Sequence, residues 1–248
     1  MNTPVEPQTT LLPEAGVRAG SGAMFDRIAE RYDLLNRLMS LGLDQRWRRK
    51  LVQEVSRDAP RGPLLDLATG TADVAIMAAQ QLPERTVLGV DPSAEMLARG
   101  RTKVEAAGLS SRLSLQEGDA QALSTVADHS VAMVTMSFGI RNVPDRARAL
   151  REMVRVLMPS GRVGILELGE PRDGPLSVLS RFHVHTIVPT LGAVLSRDAE
   201  YKYLARSIAA FPAPEVFAQL MRDAGFVDVT ITPLSFGALH LYAGTAPR

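Results

Sequence analysis

Short apolar runs that each stop at a polar or glycine-containing turn recur five times between residues 64 and 168, most of them followed by a helical stretch. This alternation restricts the chain to few folds. The first run, Leu64 to Ala68, gives way through Thr69-Gly70-Thr71 to a helix over Asp73 to Gln81. The second, Val87 to Val90, stops at Asp91, where Pro92 and Ser93 open a helix to about Ala107 and Gly108 closes it. Leu113 to Gln116 leads into Gly118-Asp119-Ala120, and Val131 to Met136 into Ser137-Phe138-Gly139-Ile140-Arg141-Asn142. A helix over Arg146 to Leu157 and a strand over Arg162 to Leu168 complete the series. Such alternation implies a parallel sheet with helices on both faces. Beyond it, two helices within Phe182 to Ala210 interrupt the pattern, and a helix follows over Pro214 to Ala224. Strands at Val227 to Ile231 and Ala238 to Gly244 raise the expected count to seven. Open sheets of this kind bind ligands beyond the carboxyl ends of their strands, so the turns are where chemistry is expected.

A chain of 248 residues suits one α/β domain with added helices. We assign that domain to residues 24–248, with 24–57 as helices preceding the sheet, 170–212 as an inserted helical cap after strand five, and 1–23 as a flexible tail. Apolar residues fall at helical spacing in both N-terminal helices, at Phe25, Ile28 and Leu38 and again at Leu43, Trp47 and Leu51, with Gly42 between them. A net charge of +1 lacks the basic footprint of a nucleic-acid binder, so no nucleic-acid partner is expected. The chain has no cysteine, which excludes disulfides, thiolate metal sites and methylation through a cysteine adduct; no metal is expected. Residues 1–23 carry Glu6 and Glu14 before the first basic residue and no continuous apolar stretch, unlike a secretory signal. The nearest candidate for a membrane span, Phe182 to Leu195, is interrupted by Pro189 and Gly192 and holds two histidines. The expectation is a cytoplasmic protein whose membrane contact, if it has one, is peripheral at the inner face. A homodimer is left open.

The first turn distinguishes between cofactors. Asp66-Leu67-Ala68-Thr69-Gly70-Thr71-Ala72-Asp73 holds one glycine where a dinucleotide fingerprint needs three to bring the backbone against a pyrophosphate. One glycine with a flanking Asp66 suits a cofactor with an amino-acid head group and no phosphates, as in S-adenosylmethionine. Asp91, 21 residues past Gly70, is placed to accept from both ribose hydroxyls, and Asp119 with the Ala120 amide to hold an adenine edge. These turns together predict a Rossmann-like class I S-adenosylmethionine-dependent methyltransferase with a seven-stranded, mostly parallel sheet.

Two stretches make the reading more specific. Phe25-Asp26-Arg27-Ile28-Ala29 with Tyr32-Asp33-Leu34-Leu35-Asn36, Ser40 and Trp47 near the start, and Ser137 to Val143 further on, resemble the ubiquinone/menaquinone biosynthesis C-methyltransferases. Arg155-Val156-Leu157, Glu167, Tyr201, Tyr203-Leu204, Phe211-Pro212 and Ala224-Gly225-Phe226 extend the resemblance to the C-terminus. That family methylates the ring of a polyprenyl quinol with S-adenosylmethionine, and it implies cofactor contacts at Thr71, Asp91, Asp119, Ala120 and Ser137. The chain departs from it at Asp44, where a His is usual, at Leu35 for Met, at Met158 and Ser160 for Lys and Gly, and at Gly169 for Ser.

A sulfonium methyl is already electrophilic, so the protein must supply alignment and a nucleophile. An aromatic carbon gains nucleophilicity when the neighbouring hydroxyl, with a pKa near 10, loses its proton, and a cation beside the oxygen favours that loss. Arg141 is the candidate cation, with Asn142 to orient the second ring oxygen; the alternative for Arg141 is a pair with a surface carboxylate such as Asp145. Tyr32 and Asp33 could relay the proton. His183 or His185 could accept it, whereas His129 and His240 read as loop and edge positions. Arg46-Trp47-Arg48-Arg49-Lys50 is either a solvated helix face or a contact for anionic headgroups. The expected substrate is a lipophilic quinol; a soluble aromatic or polyketide-like acceptor is the rival. A cofactor-binding protein without transfer is a second rival, from a different class.

Overall fold

The computed structural model describes residues 40, 42–169 and 206–248. Helix α1 (Asp44–Ser56) leads into β1 (Leu64–Leu67), α2 (Asp73–Gln81), β2 (Val87–Asp91), α3 (Ala94–Ala106) and β3 (Leu113–Glu117). Strand β4 (Val131–Ser137), a 3-10 turn at Ile140–Asn142, α4 (Arg146–Val156) and β5 (Leu157–Leu168) follow. Helix α5 (Pro214–Asp223), β6 (Val227–Leu234) and β7 (Leu239–Thr245) close the fold. The seven strands form one sheet in the order β3-β2-β1-β4-β5-β7-β6. The first five are parallel, and β7 runs antiparallel between β5 and β6.

Helices α3, α4 and α5 begin at recognisable start signals. The Ser93 hydroxyl accepts from the Met96 amide at 3.1 Å, Asp145 accepts from the Arg148 amide at 2.9 Å, and Pro214 occupies the first turn of α5. Strands β1 and β4 are buried on both faces, as a central parallel strand must be. Leu65, Leu67, Val134, Met136 and Ile165 meet Met153, Phe217 and Tyr242 on one face of the sheet. On the other, Leu64, Met133 and Leu166 meet Leu51, Val55, Ala75 and Ala78.

Two expectations need correction. Strand β5 begins five residues before Arg162, directly on the end of α4. Leu157 pairs with Val131 before the register slips to Met133 and Arg162, and Ser160 takes a left-handed φ of 61° within that irregularity. His240 is no edge residue: β7 has neighbours on both sides, and the side chain is 8% exposed. His129 does lie in a loop, its Nδ1 2.9 Å from the Leu157 carbonyl. The segments read as a tail, as the first N-terminal helix and as most of the inserted cap lie outside the described residues, and with them Tyr32, Asp33, His183 and His185.

Candidate functional site

The carboxyl ends of β1, β2, β3 and β4 bring the expected turns to one edge of the sheet. After β1 the backbone is left-handed at Ala68 (φ 50°), Gly70 (φ 55°) and Ala72 (φ 68°), a conformation that is costly for alanine and clusters at ligand sites. Successive amides in such a run turn to one side and form a concave donor surface. Among the described residues a Cβ on Gly70 would meet no atom within 4 Å. At Gly89 and Gly100 the reverse holds: Cβ atoms would lie 2.9 Å from Thr69 Oγ1 and 3.4 Å from the Ala72 Cβ, so these glycines let β2 and α3 pack against the loop.

Carboxylates hold the loop in shape. Asp66 stands opposite Thr135 in the β1–β4 register and accepts from its hydroxyl at 2.6 Å, while the Thr69 hydroxyl donates to the other oxygen at 2.6 Å. At 1% exposure, burial pushes the Asp66 carboxyl up to about 6, against the two threonine hydroxyls, which pull it down. Asp66 therefore organises the turn from beneath. Asp91 accepts from the Gly70 amide at 2.8 Å and from the Ser93 amide at 2.9 Å, tying the first turn to the second.

Thr71 is buried, and its hydroxyl accepts from Lys103 Nζ at 3.1 Å. Lys103 and Arg48 converge on Asp73 and hold its carboxyl below the ordinary range despite burial. Asp119 is exposed at the rim, where it accepts from the Gln121 amide at 2.9 Å, and Ala120 is buried beside it. Ser137, the last residue of β4, has a buried hydroxyl with no partner among the described residues, a polar group left for a ligand. The left-handed loop, the Asp91 carboxylate beside it and the Ser137 hydroxyl fit an uncharged ribose and an amino-acid head group.

Beyond Ser137 the chain turns sharply. Phe138 is left-handed (φ 60°) and meets Trp47 edge-on at 6.5 Å between centroids. A Cβ on Gly139 would lie 2.5 Å from the Ala68 Cβ, so glycine is what lets the fourth turn rest on the first. Arg141 and Asn142 are buried in the 3-10 turn.

Here the structure revises the sequence reading. The Arg141 guanidinium donates to Glu167 at 2.8 Å and to the Phe138 carbonyl at 2.6 Å, and the Arg141 amide donates to the second Glu167 oxygen at 3.1 Å. Glu167 is 0% exposed and also accepts from the Leu168 amide at 2.9 Å. Asp145, the alternative partner, is instead the cap of α4. The charge of Arg141 is thus matched by Glu167, and the residue acts first as a clamp between β4 and β5. Glu167 was missing from the candidate residues; a lone acid at the end of the apolar run Val163 to Leu168 was the available signal.

The basic cluster divides as well. Arg48 is buried and pairs with Asp73 and, at 3.4 Å, with Asp44, which also accepts from the Ser40 hydroxyl at 3.0 Å. Arg46, Arg49 and Lys50 remain exposed. Asp44, a departure from the usual His, is therefore part of a structural network. Among the described residues, no group of three His, Asp or Glu could hold a metal, and no helix is long and apolar enough to cross a membrane.

Comparison with known proteins agrees with this geometry. The model of the ubiE/COQ5 methyltransferase family matches residues 16–246, starting inside the segment read as a tail. A demethylmenaquinone methyltransferase of Thermus thermophilus is 43% identical over 225 residues, covering 90% of this chain and 100% of that protein. The ubiquinone/menaquinone biosynthesis C-methyltransferase UbiE of Geotalea uraniireducens is 42% identical over 222 residues, 89% of this chain and 94% of its own. Among solved structures, a Thermotoga maritima S-adenosylmethionine-dependent methyltransferase, described as a possible histamine N-methyltransferase, superposes with a TM-score of 0.60 at 22% identity. It covers 91% of this chain and 99% of that one, a likeness of fold.

Proposed function

The chain belongs to the ubiE/COQ5 methyltransferase family, and from that premise we propose that it methylates a ring carbon of a prenylated quinol with S-adenosylmethionine. The observation that carries this reading is the contact of the Gly139 turn on Ala68, which sets the β4 turn against the loop suited to the cofactor. When bound, the cofactor supplies a methyl group that needs no acid or metal for activation. The residues of this chain hold and orient. Gly70, Thr71 and Asp91 would take the head group and ribose, Asp119 and Ala120 the adenine, and Ser137 the side nearest the acceptor. Asp66 supports the loop under them. Arg141 and Asn142 would line the acceptor side, with Tyr32 and His183, outside the described residues, as further candidates.

The direct test uses purified protein, cofactor labelled in the methyl group, and reduced short-chain demethylmenaquinol or demethylubiquinol analogues. Label entering either ring carbon supports the reading. Protein that binds S-adenosylmethionine and labels neither quinol removes it, and label in a soluble phenol instead supports the tailoring reaction.

A peripheral membrane contact through Arg46, Arg49 and Lys50 suits a substrate dissolved in lipid, each charge near an anionic surface contributing on the order of 1 kcal/mol. Arg48 is excluded from that face by its burial. Flotation with vesicles containing one-third anionic phospholipid should separate wild type from Arg49→Glu/Lys50→Glu. Equal recovery of both in the lipid fraction would remove the contact.

A further inference from the structure

His240 is the described residue whose chemistry the site as drawn does not use. The β5–β7 register sets it directly across from Glu167, the clamp of Arg141, so it stands at the same sheet edge as the β4 turn. It is 8% exposed, and its Nδ1 is buried with no hydrogen-bond partner among the described residues. A buried ring nitrogen without a partner costs about 1–3 kcal/mol, so it calls for a ligand or a reason. Gly169 lies against that nitrogen: a Cβ built on it would sit 3.3 Å from Nδ1, so any larger residue there would press on the ring.

We propose that His240 binds the ring hydroxyl of the methyl acceptor through Nδ1 and takes its proton during transfer; this rests on the quinol methylation reading above. The hydroxyl proton passes to Nδ1 and its bonding pair stays on oxygen. The ring carbon forms its bond to the methyl as the donor's carbon–sulfur bond breaks, its electron pair remaining on sulfur. The ring carbon then releases its hydrogen to water as a proton, and the imidazolium returns the first proton to the oxygen. The balance is one methyl gained by the ring and one proton lost to solvent.

The surroundings suit a neutral imidazole. Burial lowers the basicity of His240, and the Glu215 carboxylate at the start of α5 opposes that only in part. Glu167 faces it from β5 with its charge matched by Arg141, Tyr242 lies two residues on along β7 with its ring 6.0 Å away, and β6 offers the uncharged Pro233. A base that is neutral at pH 7 and gains its proton only below the ordinary histidine range keeps a ring lone pair with which to accept from a hydroxyl.

The experiment compares wild type, His240→Gln and Gly169→Ala, the last setting a methyl against Nδ1 without changing the histidine. Expected for His240→Gln are a fall in kcat of at least tenfold, unchanged affinity for S-adenosylhomocysteine, and loss of the acidic limb of the pH profile. Gly169→Ala should raise the acceptor's KM several-fold at unchanged cofactor affinity. Independently of turnover, the imidazole resonance of His240 in nitrogen-15-labelled protein with S-adenosylhomocysteine should move when 1-naphthol is added, and Gly169→Ala should suppress that movement.

Wild-type rates in both variants, or a His240 signal indifferent to a bound naphthol, would overturn the proposal while leaving the quinol reading intact. Transfer by wild type to a phenol and to no quinol would overturn the quinol reading, and the same comparison on that phenol would then decide the role of His240. Wild type that transfers to no acceptor and binds no naphthol would sink both.

Discussion

The two halves of the functional edge are built by different means. On the β1–β2–β3 side, loops are shaped by residues close in sequence or one strand away: Thr69 on Asp66, Ser93 on Asp91, Gln121 on Asp119, and Gly70 on Asp91. On the β4–β5–β7 side the charged and titratable groups meet through the sheet, with Arg141 reaching Glu167 across 26 residues and His240 arriving opposite Glu167 on an antiparallel strand. The first half gathers loop backbone and carboxylates at the ends of its strands. The second buries a matched ion pair and leaves single polar atoms beside it. Such a division suits a bisubstrate enzyme, in which one half meets an invariant cofactor and the other a variable acceptor.

The sharpest way to break the comparison is to unbalance the second half. In Glu167→Ala the Arg141 guanidinium loses its carboxylate while still buried, and breaking such a pair costs about 3–5 kcal/mol. Urea unfolding should show that loss; a change below about 1 kcal/mol would mean that Arg141 swings to solvent at little cost and that the clamp is not one. Arg141→Ala alone would be a poor test of catalysis, because it strands Glu167 in the same way.

A smaller effect, opposite in kind, is expected in the first half. The Asp66 carboxyl stands at about 6 in the folded protein against an ordinary value of 3.8, so the folded state binds its proton more tightly than the unfolded state does. Stability on this account is greatest below pH 4 and declines as pH rises through the window from about 4 to 6, where the carboxylate ionises in its buried place. At 1.36 kcal/mol per pKa unit the full decline is roughly 3 kcal/mol, an upper figure because loop relaxation would reduce it. Asp66→Asn should lack this slope in unfolding curves taken between pH 4 and 7, and equal slopes in the two proteins would remove the assignment. A bound sulfonium or ammonium group nearby would favour the ionised form, so cofactor binding at pH 5.5 should release a fraction of a proton, measurable by calorimetry in buffers of different ionisation enthalpy.

The same contrast explains what could be read from the sequence. The alternation of apolar runs and turns gave the order of the elements, and helix α2 falls on the expected residues because its signals, Asp73 at the start and the apolar spacing after it, are local. Asp66, Asp91 and Asp119 stood out in the sequence because each lies at or within two residues of the end of its own strand. Glu167 and His240 were not. Their meaning depends on which strands become neighbours, and the antiparallel entry of β7 between β5 and β6 brings residues 73 positions apart into register. Arg48 was misread for a related reason: on α1 it looks like its neighbours Arg46 and Arg49, and only the packing of α1 against α2 shows that it faces Asp73.

The mildest prediction concerns the one place where the halves touch. Gly139 lies in the right-handed region (φ −105°), so alanine carries no backbone penalty there; what it meets is the Ala68 Cβ at 2.5 Å. Either turn must then shift by several tenths of an ångström, and overpacking of this kind costs about 1–3 kcal/mol. Because Ala68 is itself left-handed and one residue from Thr69, which holds Asp66, the shift should propagate into the first half. Gly139→Ala is therefore expected to weaken S-adenosylhomocysteine binding several-fold in calorimetry, although residue 139 belongs to the acceptor turn. If cofactor affinity stayed at the wild-type value while acceptor KM rose, the two halves would be mechanically separate, and the division drawn between them would be sharper than the contact at Ala68 implies.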